Sequence, residues 1–374
     1  MIGGKDLTQY LNQGVEKLVA DIIKSTFQNP KETKFLLDYQ SKNKKNLQLR
    51  SNFEVEGLHV PAFLISSISD TCNLFCKGCY ARINGICGNP NSRELLTADE
   101  WTEIFSQATT LGVSFNLLAG GEPLMRRDVI EAAAKFPGIL SAIFTNGILI
   151  DNTFLNLFDQ YRNLVPIISI EGGKQKTDAR RGSGAFEKTE AVMKRLNQEG
   201  ILFGTSITIT TDNLEEVTSQ QFLSQLKISG CKLVFFVEYV PFEPNTRHLL
   251  LGSEERKILD TQLNNLRMVF PEMLFLSFPG DEKEMGGCLA AGRGFFHINP
   301  YGDAEPCPFS PYSDCSLKNH TLVEVLQSPF FKKLQDEKLV GGEHDGGCAL
   351  FEHESIVKAC LYSQINFNNK VSTS

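Results

Sequence analysis

Between about Val60 and Val240, short apolar runs alternate with helical stretches, and this alternation constrains the fold more than any other feature. The runs are FLISSIS (63–69), SFNLLAGG (114–121), SAIFTNG (141–147), LVPIISIEGG (164–173), FGTSITIT (203–210) and KLVFFVEYV (232–240). Helical patterns separate them. One starts at Thr97 with Glu100 three residues on, a capping box; others are RDVIEAAAKF, a short helix from Asp151, Ala185–Gln198 and Ser219–Ile228. Strands alternating with helices imply an α/β fold with a parallel sheet and right-handed crossovers. Six such units suggest a six-stranded partial barrel or an open doubly wound sheet, and in both the ligand sits at the carboxyl ends of the strands.

The flanks read differently. Residues 1–55 are a helical segment that includes the amphipathic run Leu11–Phe27. The α/β core spans 56–250, a bridging helix and linker 251–279, and a cysteine-, glycine- and proline-rich region 280–374. In that last region FFHINPYGDAEPC reads as a hairpin turning at Asn299–Gly302, and Thr321–Leu334 as helix interrupted near Pro329. No apolar run approaches the roughly 18 residues of a membrane span. The start has no signal-peptide pattern, so the expected location is cytoplasmic, with no membrane partner. A net charge of −7 argues against nucleic acid as a partner.

Ten cysteines, at 72, 76, 79, 87, 231, 288, 307, 315, 348 and 360, are unevenly spread. In a long chain without an export signal, clustered thiols point to metal or redox chemistry rather than disulfides. DTCNLFCKGCYAR sets Cys72, Cys76 and Cys79 at C-x3-C-x2-C straight after the first strand. Zinc prefers four ligands in paired knuckles. Three local thiols instead suit an iron–sulfur cubane with one iron left open for a small molecule.

At these residues the chain resembles the radical S-adenosylmethionine (SAM) enzymes, with Tyr80 the aromatic beside the last thiol. The resemblance implies a partial (β/α)6 TIM-like barrel and a [4Fe–4S] cluster on Cys72, Cys76 and Cys79. It implies SAM bound at the open iron, its reductive cleavage to a 5′-deoxyadenosyl radical, and abstraction of a substrate hydrogen. Gly120-Gly121-Glu122-Pro123 matches the family's GGE motif for the SAM amino group. Asn146 closes the third strand, and Ser169 to Phe186 resembles the S-x-D-G…R…G-x-F segment. Glu171 stands there for the usual Asp, and Arg180 and Arg181 compete for the carboxylate-binding role, with Arg181 preferred. Ser206 is a further ribose candidate, a core strand serine being the alternative.

Cys288 and Cys307 fit C-x13-G-x4-C about Gly302, which resembles the start of SPASM and twitch domains and implies an auxiliary [4Fe–4S] cluster. The C-x2-C-x5-C-x3-C run of a full SPASM domain is absent, and ten cysteines less the triad leave seven, short of two further four-thiolate cubanes. One auxiliary cluster on Cys288, Cys307, Cys315 and Cys348 is therefore expected, with Cys360 the alternative fourth ligand and zinc the alternative metal. Cys87 and Cys231 read as small buried residues, and His297 as a structural histidine. Glu238, Tyr239, Asp281, Glu282 and Asp303 are open candidates for a proton or hydrogen partner, and no catalytic residue is chosen among them. The expected activity is radical-SAM oxidation or modification of a peptide, small-molecule or tetrapyrrole substrate, with the C-terminal region as lid and ferredoxin or flavodoxin as electron donor. A non-catalytic iron–sulfur scaffold and a zinc-stabilised α/β protein are the alternatives.

Overall fold

The computed structural model describes residues 12–13, 16, 19–23, 29–88, 93–341 and 348–371. Most of the run Leu11–Phe27 lies outside the described residues; those of it that are described are helical. Seven parallel strands form the core: β1 Phe63–Ser69, β2 Phe115–Gly120, β3 Leu140–Thr145, β4 Leu164–Ile170, β5 Gly204–Ile209, β6 Leu233–Glu238 and β7 Leu274–Phe278. The first six occupy the expected runs. The seventh lies in the stretch expected to be a bridging helix and linker, and pairs with β6 from Leu233↔Leu274 to Val237↔Phe278. The bridging helix itself is Ser253–Val269.

The strands carry near-continuous buried apolar residues, as a parallel sheet covered on both faces requires. Alternate residues divide the core in two. Ile143, Ile168 and Ile207 pack against the crossover helices. Phe115, Leu140, Ala142, Val165 and Ile167 face the other way and pack on the N-terminal helix Pro30–Val55 through Leu36 and Tyr39. That helix carries polar residues that a sequence reading would give to solvent, yet they are buried because they serve the strand ends. Asn46 donates to the carbonyls of Val113 (3.2 Å) and Gly138 (3.0 Å), and Arg50 to Ser114 Oγ (2.8 Å). Glu32 pairs with Arg162 and accepts from Leu202 N (2.9 Å). The helix thereby closes the amino ends of the strands and leaves the carboxyl ends for function. Tyr39→Phe removes the phenol's 2.5 Å bond to Ser114 O. That carbonyl keeps Leu140 N as a partner. The expected loss is therefore only about 1 kcal/mol, read by denaturant unfolding.

On the far side of β1 the sheet continues. β8 (His297–Ile298) pairs parallel with β1, β9 (Asp303–Glu305) antiparallel with β8, and β10 (Cys315–Ser316) antiparallel with β9. The order is β10-β9-β8-β1-β2-β3-β4-β5-β6-β7. The C-terminal hairpin is thus an extension of the barrel sheet. Among the described residues no helix is long and apolar enough to cross a membrane.

Candidate functional site

The loop after β1 holds the first thiol group. Cys79 stands just before a short helix, Tyr80–Ile83, and Gly78 adopts φ +64°, a left-handed turn suited to glycine. The loop is anchored across the sheet. Lys77 N donates to Arg180 O (2.9 Å), and Arg180 Nε returns a bond to Lys77 O (3.1 Å). The tip of β2 presses on the same loop: Gly121 N donates to Ser69 O and Glu122 N to Thr71 O, both at 2.7 Å. A Cβ on Gly121 would lie 2.1 Å from the Thr71 carbonyl oxygen, and one on Gly120 2.5 Å from that of Ser69. The glycine pair therefore lets two strand ends meet.

Glu122 is buried, and its carboxylate accepts from Thr145 Oγ1 (2.6 Å), Asn146 N (2.9 Å) and Leu124 N (3.1 Å). Burial pushes its pKa up, against those bonds. It ties the tips of β2 and β3. Asn146 Nδ2 reaches back to Asn73 in the cysteine loop (2.8 Å). Ser169 and Ser206, opposite each other in the β4–β5 register, bring their hydroxyls to 3.1 Å.

Glu171, just past β4, gathers both candidate arginines. Its buried carboxylate accepts from Arg180 Nη1 (2.8 Å) and from Arg181 Nε (2.9 Å) and Nη2 (2.6 Å). Burial works against the Arg181 charge, but Glu171, Cys76 and Cys79 outweigh it and raise its pKa. Arg181 thus faces the thiols. Its Nη1 makes no protein hydrogen bond among the described residues, whereas Arg180 is spent on Glu171 and the loop.

Cys87, which spacing left without a partner, belongs here. The Cys72 thiol donates to it and is pushed well up in pKa by that bond and by burial. Cys87 packs in one small buried cluster with Cys72, Cys79 and Tyr80. Cys231 instead contacts Thr205 and the Leu233 carbonyl deep in the core, as a small buried residue does.

Cys288, Cys307 and Cys348 form a second group. Cys307 donates to Cys348 and is pushed well up by burial; Cys348 is held lower by accepting that bond. Cys288 is raised by burial and then by neighbouring Glu282, with Cys348 also near. Cys315 lies elsewhere, on β10 among Asp314, Ser328 and Glu324. Cys360, in the helix Glu354–Val371, faces Lys333 and Glu337. The structure therefore brings together three of the four expected auxiliary thiols, while Cys315 and the alternative ligand Cys360 lie apart from them. The two groups adjoin, since Tyr80 meets Phe309, two residues past Cys307, edge-on with centroids 5.3 Å apart. Among the described residues no three His, Cys, Asp or Glu side chains already stand at coordinating separation, and this applies to both groups alike. In both, the donor set of thiols without histidine suits iron–sulfur chemistry.

The candidate proton partners sort by their bonds. Asp281 is taken by Arg267 (2.8 Å) and Ser277 N (2.8 Å), Glu238 by Arg256 (2.9 Å) and Asp303 by Arg93 (2.6 Å). Fully buried His297 bridges Ser67 (2.8 Å) and Glu305 (2.7 Å), tying β1 to the hairpin as a structural histidine. The buried Tyr239 hydroxyl finds no partner among the described residues and lies against Gly78, where a Cβ would come within 2.7 Å of it.

The model of the radical SAM superfamily matches residues 66–222. The AdoMet-dependent heme synthase of Methanosarcina barkeri is 24% identical over 337 residues, 81% of this chain and 91% of that protein. The PqqA peptide cyclase of Rhizobium meliloti is 25% identical over 262 residues, 66% of this chain and 67% of that protein. Streptococcus suis SuiB, solved with its precursor peptide SuiA, superposes with a TM-score of 0.62 at 16% identity, over 84% of this chain and 75% of that one. At that identity the likeness is one of fold.

Proposed function

With residues 66–222 a radical SAM domain, the chain is a radical SAM enzyme, and on that premise we propose that it oxidises an iron-tetrapyrrole substrate. The observation that carries the substrate class is the near full-length likeness to a heme synthase, which extends over 91% of that protein. Cys72, Cys76 and Cys79 would hold the SAM-binding [4Fe–4S] cluster, and Cys288, Cys307 and Cys348 an auxiliary one. When bound, cluster and SAM supply the electron and the 5′-deoxyadenosyl radical that takes a hydrogen atom from the substrate.

This chain's residues bind and orient. Arg181, anchored on Glu171 with Nη1 uncommitted, is placed for the SAM carboxylate. A carboxylate offers about four lone-pair sites. Glu122, with three taken, keeps room for the SAM ammonium. The Ser169–Ser206 pair offers two hydroxyls to the ribose diol. Gly120 and Gly121 keep the β2 tip against the thiol loop, and Tyr80 packs between the two cysteine groups. A low-potential cytosolic donor, a ferredoxin or flavodoxin, would deliver the electron.

A second reading, modification of a peptide, is favoured by the likeness to the PqqA peptide cyclase. Anaerobic reconstitution with iron and sulfide, reduction by flavodoxin and addition of SAM separate the two. An iron porphyrin is expected to raise 5′-deoxyadenosine formation and to be consumed with it. Stimulation by peptides but not by the porphyrin would transfer the assignment to the second reading. No 5′-deoxyadenosine above an unreduced control would remove both.

A further inference from the structure

We propose that the auxiliary cluster is held by three thiolates and one carboxylate: Cys288, Cys307, Cys348 and Glu282, with Cys315 and Cys360 outside the ligand set. The inference rests on the auxiliary-cluster reading above and assigns the place that the cysteine count could not fill.

Three observations lead to it. The thiols of Cys288, Cys307 and Cys348 stand together, with Cys307 bonded to Cys348. Cys315 is engaged with Asp314 and Ser328 near the start of the helix Pro329–Asp336, and Cys360 packs toward that helix's Lys333 and Glu337. Glu282 is only 4% exposed and looks onto Cys288 and Cys348.

The carboxylate's situation is what needs explaining. Buried charges in proteins are paired or bound to metal. Every other glutamate buried among the described residues has a cationic or multiply bonded partner: Glu32 has Arg162, Glu171 two arginines, Glu238 Arg256, Glu305 His297, and Glu122 three donors. Glu282 has one hydrogen bond, Oε1 from Leu289 N at 3.2 Å, and no ion pair among the described residues. Arg293, a neighbouring cation, spends its guanidinium on the carbonyls of Gly287 and Cys288. That Leu289 bond places the carboxylate beside the residue following Cys288. Gly287 N also donates to the Glu282 carbonyl (3.0 Å), so the chain folds back here and brings Glu282 and Cys288 to one side. Coordinated to one iron of a cubane, the carboxylate would gain the cationic partner it otherwise lacks and would complete the coordination that three thiolates leave open.

The test uses the full chain, reconstituted anaerobically with iron and sulfide and read by iron content and EPR of the reduced protein. The unaltered protein is expected to hold about eight irons per chain, and Cys288→Ala, Cys307→Ala and Cys348→Ala about four each. Cys315→Ala and Cys360→Ala are expected to stay near eight with unchanged spectra. Glu282→Ala is expected to alter the auxiliary EPR signal while leaving that of the Cys72 cluster intact, and Glu282→Cys to shift it again toward an all-thiolate spectrum. Loss of the auxiliary signal in Cys315→Ala, or a wild-type signal in both Glu282 variants, overturns the ligand set while leaving the cluster standing. Iron near four in the unaltered protein removes the auxiliary cluster and this ligand set together.

Discussion

Replacing Glu171 by Ala is expected to destabilise the fold by about 3–5 kcal/mol, the range for stripping one partner from a buried ion pair. The carboxylate is the shared counter-ion of Arg180 and Arg181, whose side chains are only 21% and 13% exposed. Without it, two guanidiniums face each other in a partly dry pocket beside the thiol loop. The functional loss is expected to exceed the stability loss. Arg180 also donates its Nε to Lys77 O, beside the Lys77 N bond to its own carbonyl, so release of its side chain loosens the segment between Cys76 and Cys79. Glu171→Ala should therefore lose both unfolding midpoint and iron incorporation, while Glu171→Asp, which keeps the charge, should recover most of both. Wild-type stability in Glu171→Ala would show that the arginines have other sufficient partners.

Gly121→Val is expected to abolish cluster incorporation at the Cys72 site. The new Cβ would sit 2.1 Å from the Thr71 carbonyl oxygen and 2.9 Å from Cys87 Sγ, and the first of these is backbone with no rotamer to yield. Overpacking costs typically about 1–3 kcal/mol when side chains can adjust. Here the relief must come from the loop that bears Cys72. Gly138 is the matched control: a Cβ there meets nothing within 4 Å, so Gly138→Ala should be close to neutral. Reconstituted iron and absorbance of the bound cluster check the pair. Equal iron in the two variants would mean that the β2 tip does not set the loop's position.

Much of this architecture was readable from local chemistry. The capping box at Thr97 and the Asp151 cap both form, because a side-chain oxygen three residues before an amide is a short-range relation. The hairpin at Asn299–Gly302 forms for the same reason, with Gly302 N donating to Asn299 O (3.0 Å). What stayed hidden depends on contacts between segments far apart. Leu274–Phe278 is a five-residue strand whose identity comes from its neighbour β6 rather than from its own pattern. Asn46 and Arg50 look solvated in sequence because the strand-end groups they bond, the carbonyls of Gly112, Val113 and Gly138 and the Ser114 hydroxyl, lie 62 to 92 positions away. Cys87 reaches Cys72 through a turn that no spacing rule encodes. Glu282 escapes a count that tallies only thiols.

The hairpin's place in the sheet has a mechanical consequence. Ile65 N bonds Phe296 O (3.1 Å), Ser67 meets His297, and the strand that launches the first cysteine loop is thereby laced to β8, the first strand of the hairpin that leads to Cys307. The β1–β8 seam is thus a braced edge of the barrel, like one member of a truss; with the clusters proposed above in place, electron exchange between them should be insensitive to solvent viscosity, and motion that admits substrate is expected in the loops at the barrel's rim.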